Sequence, residues 1–134
     1  MENPRRAGVT AIHSAFQFCF SVPDLSVAEV YYKQFGLKVD RQGDRLALST
    51  YHGPHTWGYV LDGRGQKKRL EYLTLGAYAE DLDDLQRQAM ANGAKPADAH
   101  PSAVTSDGFW IRDPDNNLLQ IAVREKVTPN EKAK

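Results

Sequence analysis

The chain has 134 residues, 41% hydrophobic and 25% charged, which sets one ordinary globular domain as the expectation. Its 17 Lys and Arg balance 17 Asp and Glu, so there is no electrostatic case for nucleic acid or an anionic membrane as partner. A single cysteine, Cys19, excludes an internal disulfide framework, and no apolar run has the length of a signal peptide or a bilayer span, so a cytoplasmic location is expected.

Residues 1–14, with Pro4, Arg5, Arg6 and Gly8, read as a loose lead-in. From there Phe16, Phe18, Phe20 and Val22 alternate with Gln17, Cys19 and Ser21, a strand with one apolar and one mixed face. Pro23 ends it and Asp24 is placed to cap a helix over Ser26–Phe35. The spacing predicts a buried stripe of Val27, Val30 and Tyr31, with Gln34 or Phe35, and Gly36 as the stop. Strands over Leu37–Arg41, Leu46–Thr50 and Thr56–Leu61 follow, divided by turns at Gly43-Asp44 and His52-Gly53-Pro54. The basic cluster Lys67-Lys68-Arg69, beside Arg64, reads as a solvated loop.

A second strand opens at Leu70, with Leu73 and Leu75 on one face and Tyr72 and Thr74 on the other. Its helix runs from about Asp81 to Asn92, with Leu82, Leu85 and Ala89 inward and Gly93 at its end. A polar stretch with Pro96 and Pro101 is expected to hold a short irregular strand. Gly108–Arg112 and Leu118–Val123 then flank Asp113-Pro114-Asp115-Asn116-Asn117, a hairpin signal in which Pro114 presets a type I turn and Asn116 tolerates a left-handed conformation. Glu125 to Lys134 reads as a charged tail or linker.

The order strand, Asp-Leu, helix, Gly occurs twice, with Asp24 to Gly36 and Asp81 to Gly93 each 12 positions apart. Two copies are too few for a solenoid, so the pattern predicts one domain over 15–124 built of two modules, 15–62 and 69–124, with a cleft where the copies meet.

This duplicated unit resembles the vicinal oxygen chelate superfamily, which contains glyoxalase I, bleomycin-resistance proteins and extradiol ring-cleaving dioxygenases. The residues that carry the resemblance are Val22-Pro23-Asp24-Leu25, Tyr31-Tyr32 before Phe35-Gly36-Leu37, Glu80-Asp81-Leu82, and the run from Gly108 through Asp113-Pro114-Asp115 to Gln120. The resemblance implies an α+β fold of two βαβββ modules related by a pseudo-two-fold axis. These form a curved, partly open mixed sheet around a cleft, with helices on the outer face. Within the superfamily the chain looks most like the N-terminal domain of a two-domain extradiol dioxygenase, in which the C-terminal domain usually holds the iron. Leu75-Gly76-Ala77-Tyr78-Ala79-Glu80 and the linker-like tail support that reading.

The family's metal ligands, commonly two His and one Glu, fall by the resemblance at Gln17, Tyr72 (Glu71 if the alignment slips by one) and Gln120. Two neutral amides and a phenol are a poor set for Fe(II), which favours two imidazoles and a carboxylate. The expectation is therefore a degenerate metal site and no cofactor, with Fe(II) or another divalent ion the alternative. The three side chains either fill the cleft as a satisfied polar cluster, the amides bonding the phenol, or line a small-molecule site. Cleft positions are read as Gln17, Cys19, His55, Tyr72, Thr74, Trp110, Arg112 and Gln120. No basic neighbour is evident to activate Cys19. Trp110 beside Arg112 either holds an anionic aromatic ligand or stacks at a rim, and Trp57 and Tyr59 read as core or dimer contacts. The four histidines, His13, His52, His55 and His100, fall before a strand or in turns.

Three functions follow. One is a scaffold or small-aromatic-binding half whose chemistry belongs to a partner dioxygenase domain or subunit. Another is a free-standing, resistance-type binding protein. The third is a metal-dependent dioxygenase or glyoxalase-like lyase with ligands from unexpected positions, such as His55, Glu71 or a second chain. Exposed sheet edges predict a homodimer.

Overall fold

A computed structural model describes residues 5–127; the end of the expected tail lies outside the described residues. The described part comprises eight strands and two α-helices in an α+β order, each helix entering and leaving a strand. It divides into two compact units, residues 17–73 and residues 5–16 with 74–127.

In the unit of residues 17–73, β1 (Ile12–Val22, entering from the other unit) leads to α1 (Leu25–Phe35), β2 (Lys38–Gln42), β3 (Arg45–Ser49) and β4 (Thr56–Asp62). The strand order is β2-β3-β4-β1. β1 runs parallel to β4, and the β2/β3 and β3/β4 pairs are antiparallel, so the pairing is mixed. Asp24 caps α1 by accepting from Ser26 N–H at 3.0 Å and Val27 N–H at 3.2 Å. Gly36 closes the helix at φ +111°, where Leu37 N–H reaches the Tyr32 carbonyl at 3.0 Å.

The core of this unit is Phe20, Val22, Leu25, Ala28, Leu46, Leu48 and Val60, with Phe18, Tyr32, Leu37 and Val39 packed against it. The alternation of β1 thus places Phe18 and Phe20 toward α1. The helix stripe departs from the sequence expectation. Val27, Val30, Tyr31 and Phe35 are 56–68% exposed, and the buried positions are Leu25 and Ala28 with Tyr32 half-buried. Position 25, 28 and 32 share one side of a 3.6-residue helix as well as 27, 30 and 31 do, so periodicity permitted both rotations. The Asp24 cap and Leu25 at the strand exit select the first.

The other unit holds β5 (Arg69–Ala77, entering from the first unit), a 3₁₀ turn (Ala79–Asp81), α2 (Leu82–Ala91), β6 (Lys95–Pro96), β7 (Phe109–Arg112) and β8 (Leu118–Val123). Its order, β6-β7-β8-β5, repeats that of the first unit position for position. Leu82, Leu85, Ala89 and Met90 of α2 pack on a core of Ala77, Phe109, Ile111 and Ile121. The β7/β8 turn forms as its residues dictate: Asp113 Oδ1 accepts from Asp115 and Asn117 N–H, and Asn116 stands at φ +68°.

Candidate functional site

The expected cleft residues divide between the two units. In residues 17–73, Gln17 and Cys19 share the face of β1 opposite its phenylalanines, and Tyr72 of β5 is 2% exposed. The Gln17 side-chain amide donates to the Thr56 carbonyl at 2.8 Å. Cys19 is buried, and burial, assisted by the Glu71 charge, pushes its thiol up to about 12. A buried thiol held in its neutral form is a poor nucleophile. His55 sets its ring edge-on to Trp57, with centroids 4.3 Å apart.

In the other unit Gln120 is 2% exposed and its amide is engaged at both ends. Its Oε1 accepts from Thr74 Oγ1 at 2.7 Å, and its Nε2 donates to the carbonyls of Thr105 and Asp107, each at 3.0 Å. The Trp110 indole donates to the Ser106 carbonyl at 3.1 Å, so the 105–107 segment is pinned from two adjacent strands. Arg124 adds a third tie, meeting Asp107 Oδ2 at 2.7 Å and Thr105 Oγ1 at 2.8 Å. Its guanidinium holds the Asp107 carboxyl down at about 2. Arg112 donates to the Asn116 carbonyl and so braces the hairpin rather than a ligand.

Thr105, Asp107 and Arg124 were not singled out by the sequence, because they lie in an irregular stretch and at a strand exit without periodicity. His13 was expected ahead of a strand but lies inside β1. Its Nδ1 pairs with Ser14 Oγ at 2.7 Å and its Nε2 with the Arg124 carbonyl at 2.8 Å, while the ring packs on Tyr78.

The donor chemistry of Gln17, Tyr72 and Gln120 does not fit a divalent metal. Gln120 would have to surrender the hydroxyl that its oxygen accepts from, and none of the three brings a carboxylate or an imidazole. Among the described residues no group of three or more His, Cys, Asp or Glu is placed to hold a metal. The amides are satisfied through Thr74 and backbone carbonyls, and no buried side-chain N or O among the described residues lacks a partner.

No protein-family model matches the chain. It is 33% identical over 123 residues to metapyrocatechase 2 of Cupriavidus necator, a match covering 92% of this chain and 37% of that protein. The structure superposes on BphC, a halotolerant catechol dioxygenase, with a TM-score of 0.71 at 17% identity, covering 91% of this chain and 43% of the other. The fold is that of the vicinal oxygen chelate superfamily. The Mn(II)-bound glyoxalase from Novosphingobium aromaticivorans matches with a TM-score of 0.68 at 18% identity, over 89% of this chain and 44% of that one. The chain therefore spans less than half the length of these vicinal oxygen chelate relatives.

Three unsuitable side chains led to the expectation of no cofactor, yet this fold carries Mn(II) in the glyoxalase. The physical reason is one of scope: a donor set read from a stretch matching 37–44% of its relatives leaves the rest of their length unread. As for the membrane, no helix among the described residues is long and apolar enough to cross a bilayer.

Proposed function

We propose that this chain is one half of an extradiol-type ring-cleavage dioxygenase. In this reading it serves as a scaffold and aromatic-binding module, and the metal is held by groups other than Gln17, Tyr72 and Gln120. The observation that carries it is the Gln120 amide, committed at both ends to Thr74, Thr105 and Asp107 where the resemblance implies a metal-ligating carboxylate. The likeness to metapyrocatechase 2 over 37% of that protein supports the reading as a half, and the sequence resemblance to N-terminal domains favours the N-terminal one. The ligand class is a catechol, by the likeness to a metapyrocatechase and a catechol dioxygenase, and the side chains it would lie against are Gln17, Cys19 and Tyr72. A homodimer belongs to the same reading, supported by the exposed apolar side chains of α1.

The test uses the full chain with Fe(II) under nitrogen, then catechol and oxygen. Saturable catechol shifts at Tyr72 and Cys19, with ring cleavage appearing only when a second, metal-holding domain or subunit is added, are the expected result. Ring cleavage by this chain alone, abolished in Gln17→Ala, would overturn it.

A further inference from the structure

A cavity lies in the unit of residues 17–73, on the α1 side of the sheet. It measures about 380 Å³ and is lined by Phe18, Leu37, Leu48, Ser49, Thr50 and Trp57. Two local irregularities build it. On β3, Leu48 stands opposite Gly58 but the next residue, Ser49, stands opposite Thr56, so Trp57 has no residue across from it. Such a bulge re-aims a side chain. Strict alternation would send Trp57 with Tyr59, away from Val60 and the helix-side core; instead it lines the cavity with Phe18 and Leu48.

The other irregularity is Gly58, the β4 partner of Phe18. A Cβ there would stand 2.3 Å from Phe18 Cε2, so the Phe18 ring rests directly on the glycine. That ring is stacked on Phe20, with centroids 5.6 Å apart and 22° between planes. His55 supports Trp57 edge-on. The walls are therefore two braced aromatic rings and two leucines, and Ser49 and Thr50 complete a lining whose exposed surface is wholly apolar.

We propose that this cavity is a binding site for a neutral, single-ring arene, separate from the positions of Gln17, Cys19 and Tyr72. The volume falls within the range of small-ligand pockets, and an apolar cavity of roughly 150 Å³ already takes benzene. Planar aromatic walls favour a flat ring by offset or edge contacts. No charged group lines the site, so an ionised ring acid would lose its hydration with no partner to replace it.

The experiment titrates toluene into the full ¹⁵N-labelled chain and follows the two indole N–H signals, with sodium benzoate in parallel. The chain has two tryptophans, and Trp110, buried and bonded to the Ser106 carbonyl, is the internal control. The Trp57 signal should move saturably to a 1:1 end point while Trp110 stays still, with benzoate weaker by about tenfold or more. Leu37→Trp, which fills the cavity from its edge, should weaken toluene by about tenfold or more, and Ser49→Phe serves the same purpose should Leu37→Trp fail to fold. Linear, unsaturable shifts at both indoles would overturn the proposal, as would equal binding of benzoate or indifference to both substitutions. Because toluene lacks the hydroxyls of a catechol and reports at Trp57, failure here leaves the Tyr72 and Cys19 readout of the proposed function independent.

Discussion

The two units share one strand order, β2-β3-β4-β1 against β6-β7-β8-β5, and differ in what secures it. In residues 17–73 the Asp-Leu signal does what its residues dictate, as Asp24 caps α1. In the other unit the corresponding Asp81 makes no cap; its carboxylate is buried against Arg5, with Nη2 at 2.6 Å. One amide, Gln17, makes a single described bond to a carbonyl, whereas Gln120 ties three partners together. Duplication has preserved backbone order and turn chemistry while the polar groups took separate duties. Equivalent positions in a repeat therefore license inference about elements more safely than about side-chain roles.

The two amides give the largest contrast. Gln120→Leu leaves the Thr105 and Asp107 carbonyls and the Thr74 hydroxyl without the bonds they now make, and should cost about 2–4 kcal/mol in urea unfolding. Gln17→Leu should cost about 1 kcal/mol, because one bond at a half-buried site is lost. Equal costs would break the contrast. The two aspartates come next. Asp24→Ala should cost about 1 kcal/mol as a lost cap, whereas a double-mutant cycle of Arg5→Met with Asp81→Asn should show coupling that Arg5→Met with Asp24→Asn lacks.

Most of the fold was legible because turn residues and period-two alternation act locally. Gly36, Gly93 and the Asp113–Asn117 turn mark element ends, and Phe16–Val22 states its own faces. The burial of α1 was not legible, since Leu25, Ala28, Tyr32 and Val27, Val30, Tyr31 are both helical stripes and tertiary packing chose between them. For the candidate residues, the sequence supplied strand faces and left the bonding partners unread. Gln17, Tyr72, Thr74 and Gln120 occupy the expected faces, but the partners of Gln120 come from the irregular 105–107 segment, whose path no periodicity encodes. Trp57 was read as core or dimer contact; its re-aiming depends on a register step that alternation cannot reveal.

Two smaller effects sharpen the comparison. The Asp107 carboxyl is lowered from 3.8 to about 2, so its contribution is complete above pH 3.8 and is lost as pH falls toward 2. Its side chain is 52% exposed, so screening limits the loss to about 1 kcal/mol or less, read as the difference in acid unfolding between the wild type and Arg124→Met. Tyr31→Ser on the exposed stripe should change the stability of the chain itself by less than about 0.5 kcal/mol, whereas Leu85→Ala in the α2 core should cost about 2–3 kcal/mol. A large Tyr31 effect that depends on protein concentration would show the stripe buried in a dimer.

The central claim is that Gln17, Tyr72 and Gln120 are not the metal's ligands. Mn(II) binding to the wild type, Gln17→Ala and Tyr72→Phe, followed by the loss of the free-ion electron paramagnetic resonance signal, tests it most directly. The account predicts superimposable titrations for all three proteins. Stoichiometric Mn(II) uptake by the wild type that disappears in either variant would contradict it.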